Sequence, residues 1–64
     1  MSEAFQNEYL TVSEIARYLQ VSLSKAYGLT RQPEFPVCRF GNSVRIPREA
    51  FVKWVAKNTH IPNL

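Results

Sequence analysis

The chain has 64 residues, of which 45% are hydrophobic and 20% are charged, a composition typical of one small globular domain. Its single cysteine, Cys38, excludes an internal disulfide, and with His60 it falls far short of the ligand set of a structural zinc site. No stretch approaches the roughly 20 apolar residues that span a bilayer. Because residues 1–9 do not resemble a signal peptide, we expect a cytoplasmic protein without a membrane partner.

The net charge of +3 is distributed unevenly along the chain. Residues 1–24 carry one arginine and three glutamates, a net charge of −2, whereas residues 25–64 carry seven lysines and arginines and two glutamates, a net charge of +5. A positive half of this kind would attract nucleic acid. A basic face that is only solvated is an equally good interpretation of the charge alone.

A capping box begins the first predicted helix. Thr11 and Glu14 have the T-x-x-E spacing in which each side chain bonds the backbone N–H of the other residue. The apolar residues that follow recur at the spacing of one helical face: Val12, Ile15, Ala16 and Leu19. This pattern predicts a short helix that ends near Gln20.

A second short helix is predicted after a tight turn. Ser22 is a suitable N-cap for a helix over residues 23 to about 30. Its inward residues are expected to be Ala26 and either Leu29 or Thr30. Its outward residues are expected to be Ser24, Lys25, Tyr27, Gly28 and Arg31. Two helices joined in this way predict a helix-turn-helix, and a generic helical hairpin in a small bundle is the alternative that the spacing leaves open.

A small β-hairpin is predicted next, with strands over residues 37–40 and 44–46 and a loop over residues 41–43. Glycine and asparagine in this loop both tolerate positive φ angles. Alternation groups the side chains expected to face inward: Cys38, Phe40, Val44 and Ile46. Arg39 and Arg45 should then lie together on the opposite, solvated face.

A third helix is predicted from Pro47 to about Asn58. Proline suits the start of a helix, and Glu49 in the first turn suits the helix dipole. Apolar residues at helical spacing mark the buried side of this helix: Ala50 or Phe51, Trp54 and Val55. Phe35, which lies between two prolines before the hairpin, is predicted to join the same core.

Catalytic patterns do not emerge from the sequence. Cys38 has no neighbours that would stabilise a thiolate, and its predicted inward position suits a structural residue. His60 has no acidic residue near it in the sequence, and no glycine-rich phosphate loop is present. We therefore expect no enzymatic activity, no cofactor or metal and no small-molecule substrate.

Two segments of the sequence resemble a known family. LTVSEIARYLQVSLSKAYGL and EFPVCRFGNSVRIPREAFVKWV are similar to the short winged-helix domains of the excisionase and MerR-related type. The resemblance covers residues 9 to about 57, and its most specific part is R-x-G-x-x-x-R-I-P-R-E-A over residues 39–50. It implies a mostly α fold with a small β-hairpin, a winged helix-turn-helix in the order helix, turn, helix, two-stranded wing, helix. We accordingly expect an N-terminal arm at 1–9, this domain at 10–58 and a tail at 59–64.

The resemblance also implies which residues contact DNA. The family's second helix enters the major groove, and with the predicted outward face this implicates Ser22, Leu23, Ser24, Lys25, Tyr27, Gly28 and Arg31. The family's wing contacts the DNA backbone or the minor groove, which implicates Arg39, Asn42, Ser43 and Arg45. The chain departs from the family pattern at Gln20, where glycine is usual, and at Gly28, where arginine is frequent.

The function implied by the resemblance is binding of double-stranded DNA by an architectural factor. Several copies would bind direct repeats, bend the DNA and help an integrase excise a mobile element. A small transcriptional regulator with the same surface is the alternative, and a protein-interaction adaptor that does not bind DNA is a third. The expected partners are double-stranded DNA, further copies of the chain on DNA and an integrase.

Overall fold

The structure, a computed structural model, describes residues 8–62. Its elements follow one another as β1 (Tyr9–Leu10), α1 (Val12–Leu19), α2 (Leu23–Leu29), β2 (Cys38–Phe40), β3 (Ser43–Pro47) and α3 (Arg48–Lys57). The predicted winged helix-turn-helix is confirmed, with one strand more than the sequence indicated. None of the helices in this range has the length and apolar character needed to cross a membrane.

The additional strand is β1, at the start of the described residues. Tyr9 belongs to the N-terminal arm in the prediction from the sequence, but in the structure it pairs antiparallel with Pro47, and Leu10 pairs with Ile46. The sheet therefore has the order β1-β3-β2, with β3 in the centre. The rest of the predicted arm, residues 1–7, lies outside the described residues, as do residues 63 and 64 of the predicted tail.

Both helices of the helix-turn-helix begin at the predicted caps. The Thr11 hydroxyl accepts from the Glu14 backbone N–H at 3.1 Å, and the Glu14 carboxylate accepts from the Thr11 N–H at 2.9 Å. The Ser22 hydroxyl accepts from the Lys25 N–H at 3.1 Å and so begins α2. These bonds satisfy backbone amides that have no partner within their own helix.

The turn between α1 and α2 depends on a left-handed residue. Gln20 has φ 59° and ψ 47°, and its N–H bonds back to the carbonyls of Ala16 and Arg17. The Val21 N–H also bonds to the Ala16 carbonyl, at 3.0 Å. A left-handed conformation costs a non-glycine residue about 1–2 kcal/mol. Glutamine therefore occupies this turn at a cost that glycine would avoid.

The core lies between the helices and the inner face of the sheet. It is formed by seven buried residues: Val12, Ile15, Ala16, Ala26, Phe35, Ile46 and Phe51. Phe35 meets Phe51 and Trp54 edge to face, at ring-centroid distances of 6.1 Å and 4.8 Å. The predicted core positions of Phe35 and the third helix are thus confirmed, with Trp54 half-buried at the margin.

Replacing Gln20 by glycine should stabilise the protein. Relief of the left-handed strain outweighs the larger backbone entropy of unfolded glycine, and the net gain should be about 0.5–1 kcal/mol. Gln20→Ala is the matched control, because alanine keeps a side chain in the same left-handed conformation. Urea unfolding of the three proteins measures the difference, and equal stabilisation by alanine would contradict a strained turn.

Candidate nucleic-acid interface

The wing is the hairpin of β2 and β3, and its turn is shorter than the sequence indicated. Phe40 pairs with Ser43, so only Gly41 and Asn42 lie between the strands. Gly41 has φ 60°. A two-residue hairpin turn with glycine in its first position matches the right-handed twist of the flanking strands. The predicted three-residue loop over residues 41–43 is therefore wrong by one residue.

This difference of one residue exchanges the two faces of β2. Residues directly opposite each other in an antiparallel pair lie on the same face. Arg39 is opposite Val44 and so lies on the inner face with Ile46, whereas Cys38 is opposite Arg45 on the outer face. A shift of register by one residue moves every side chain of a strand to the other face.

Two predictions about the wing are corrected by this register. Phe40 was expected in the core but is 56% exposed and lies on the outer face, which it shares with the half-buried Cys38. Arg39 and Arg45 were expected together on the solvated face; Arg39 is exposed, but it lies on the opposite face of the wing from Arg45, which is half-buried. The inward positions of Val44 and Ile46 and the outward position of Arg45 are as predicted; Ile46 is fully buried and Val44 half-buried.

The two arginines accordingly have different neighbours. The Arg39 guanidinium donates through Nη2 to the Thr30 carbonyl oxygen at the end of α2, at 3.4 Å. The Arg45 guanidinium donates through Nη1 to the carbonyl of Val44 in its own strand, at 2.8 Å. Arg39 therefore bridges the wing and α2, whereas Arg45 stays with the outer face of the wing.

The outward face of α2 is as open as the sequence indicated. Its exposed side chains, together with those just outside the helix, are Ser22, Leu23, Ser24, Lys25, Tyr27 and Arg31. Ala26 and Thr30 are buried on the opposite side, against the rest of the domain. Gly28 is half-buried, but a Cβ atom added there would meet no atom within 4 Å, so this position could carry a side chain.

The charged residues of the α2 segment and of the wing are all positive. Residues 22–31 and 38–46 contain no acidic residue. They contain four lysines and arginines: Lys25, Arg31, Arg39 and Arg45. Asn42 and Ser43 are exposed at the tip of the wing. DNA contact by any of these residues stays a prediction, but neither of the two segments has a carboxylate that would repel phosphate.

Phe40 is a candidate interface residue that the sequence analysis missed. It lies in the wing on the same face as Arg45, with more than half of its surface exposed. The apolar alternation of the hairpin predicts that Phe40 lies in the core. The two-residue length of the turn places it on the outer face instead. The preference for glycine at the first position of a two-residue hairpin turn, here Gly41, was the signal that could have identified it.

The order helix, turn, helix, wing, helix defines a class of small DNA-binding domains. The model of a family described as a helix-turn-helix domain matches residues 9–59, which is most of the chain. The protein belongs to this family of small, excisionase-like DNA-binding helix-turn-helix domains. No curated protein and no solved structure matches the chain.

The wing register predicts unequal effects of two phenylalanine truncations. Phe40→Ala should change the free energy of unfolding by no more than about 0.5 kcal/mol, as is usual for exposed positions. Phe35→Ala, the matched control, should cost about 3–5 kcal/mol because that ring is buried. Denaturant midpoints of the two variants measure both effects. A comparable loss in Phe40→Ala would mean that Phe40 lies in the core and that the turn has three residues.

Proposed function

We propose that this protein binds double-stranded DNA in a sequence-specific manner, with α2 in the major groove and the wing on the adjacent backbone or minor groove. The observation that carries this proposal is the exposed face of α2, which has Lys25 and no carboxylate and is followed by the exposed Arg31. Beside it lies a wing that carries Arg45 on its outer face. A major groove admits one α-helix. An exposed helix with a buried rear side suits that position.

Phosphate contacts supply most of the affinity in this proposal. Lysine and arginine release counterions from the DNA backbone, so binding weakens as salt is added. Base edges are read by side chains that project from α2, for which Ser24, Lys25 and Tyr27 have suitable donors and acceptors. The Ser22 hydroxyl accepts the capping bond of α2 and can still donate its proton to a phosphate.

The wing contributes shape recognition and orientation. Arg45, Asn42 and Ser43 can bond phosphates or enter a narrow minor groove, where the negative potential attracts arginine. Phe40 adds an apolar ring on the same face. Apolar side chains in the minor groove pack against base steps and favour bent DNA. This combination supports an architectural role.

We further propose that the protein acts as an excisionase-like factor, in several copies on direct repeats, and assists an integrase in the excision of a mobile element. Within α2 itself Lys25 is the one cationic residue, so a single copy makes few charged contacts. Adjacent copies would offset that weakness by binding cooperatively. A small transcriptional regulator with the same surface is the second candidate, because the two roles use the same contacts.

Footprinting of the DNA around the protein's own gene should reveal protected direct repeats. Repeats beside a recombination site, with DNA excision enhanced in the presence of the cognate integrase, would support the excision role. Protection confined to a promoter would favour regulation. An absence of protection at low salt, where phosphate contacts are strongest, would contradict DNA binding and favour the protein-interaction adaptor.

Gly28→Arg should convert the open position on α2 into an additional DNA contact. We expect tighter binding and a salt dependence steeper by about 0.9 in log K against log salt, the contribution of one phosphate contact. Gly28→Ala is the matched control, because it adds about 1 kcal/mol of helix propensity without the charge. Fluorescence anisotropy titrations at several salt concentrations measure the slopes. An arginine variant with an unchanged slope would place this face of α2 away from the phosphates.

A further inference from the structure

The C-terminal end of α2 presents a carbonyl that the helix itself does not satisfy. Thr30 caps α2, and its N–H and hydroxyl both bond within the last turn, the hydroxyl to the Tyr27 carbonyl at 2.7 Å. The final carbonyls of any helix lack intrahelical donors. Thr30 is only 4% exposed, so water has little access to this acceptor. Arg39 supplies the donor, from the wing.

The same contact adds a positive charge at the C-terminal end of α2, where Arg31 follows the cap but the last turn has no basic residue. The C-terminal end of a helix is partially negative and is stabilised by cations. Helices α1 and α3 carry Arg17 and Lys57 in their last turns, whereas α2 has no basic residue in its last turn. The Arg39 guanidinium fills this place from β2. The hydrogen bond and the charge interaction therefore both favour a position of the Arg39 guanidinium at the C-terminal end of α2.

The contact also joins two parts of the domain that are otherwise held separately. α2 packs chiefly on α1, whereas the wing is attached to the helices through β3, which packs on α1 and α3. The register directs Arg39 to the inner face of the wing, toward Thr30. The planar guanidinium of arginine holds its hydrogen-bond geometry with little further loss of freedom.

We propose that Arg39 is a positioning residue that braces the wing against the C-terminal end of α2, rather than a phosphate contact. The brace fixes the angle between the two elements that meet DNA in the proposed function, on which this part of the inference rests. Arg45, on the outer face, is then the phosphate-contacting arginine of the wing. A braced wing and α2 bind DNA more tightly than unbraced ones, because their relative orientation does not have to be fixed on binding.

The salt dependence of DNA binding distinguishes the roles of the two arginines. Arg39→Ala and Arg45→Ala remove the same charge, so a difference between their slopes reports which arginine contacts phosphate. Arg45→Ala should lower the slope of log K against log salt by about one unit. Arg39→Ala should weaken binding by about 2- to 10-fold, the range that one hydrogen bond contributes, and leave the slope unchanged. Fluorescence anisotropy on the footprinted site measures both quantities.

A second measurement uses the free protein and does not depend on DNA binding. ¹⁵N relaxation order parameters of residues 40–43 report the rigidity of the wing tip on the fast timescale. Arg39→Ala should lower them, Arg45→Ala should not, and Arg39→Lys, which keeps a charged donor, should restore part of the loss. Thermal melts of each variant verify that the domain is folded.

The outcomes distinguish the brace from the proposed function. A wild-type protein that fails to bind DNA, but whose wing loosens in Arg39→Ala, would support the brace and overturn the DNA-binding proposal alone. Unchanged order parameters in Arg39→Ala would overturn the brace. A slope lowered by about one unit in Arg39→Ala would also overturn it, because Arg39 would then be a phosphate contact.

Discussion

The burial of Ile46 in the central strand is the constraint on which the remaining geometry depends. β3 pairs with β1 on one side and β2 on the other, and it packs on α1 and α3. Because Ile46 faces the core, Val44 must also face inward and Arg45 outward. A slip of one residue would expose Ile46 and forfeit about 1.5–3 kcal/mol, a large fraction of the stability of a small domain.

The outward face of α2 is open because few residues of this helix belong to the core. Among its seven residues only Ala26 is fully buried, and the adjoining Thr30 is the other buried contact. The capping bond of Ser22 and the left-handed turn at Gln20 determine where the helix starts and which way it points. A helix that packs on α1 through Ala26 and is capped at both ends leaves its outward side chains exposed.

The helices and their faces could be predicted from the sequence because their signals are local. The spacing of Thr11 and Glu14 and the cap at Ser22 act within a single helical turn, and the apolar period identifies the inward face. β1 could not be predicted, because two residues have no period of their own and gain their structure by pairing with a distant strand. The outward face of α2 in the candidate site and the presence of the wing could therefore be predicted, whereas the register of the wing could not. Glycine, asparagine and serine all suit turns, so the sequence did not decide between a loop of two residues and one of three.

The two-residue turn of the wing has a consequence for how sequences of this kind can diverge. Ile46 anchors β3, so a residue inserted beside Gly41 and taken up by β2, rather than by a larger loop, would shift β2 alone and exchange its faces. Arg39 would leave Thr30 for the solvent, and Phe40 would turn toward the core. An insertion of two residues would lengthen the wing and leave both faces intact. Residues added to the paired strands of the wing therefore keep its two faces when they come in even numbers and exchange the faces of β2 when they come in odd numbers.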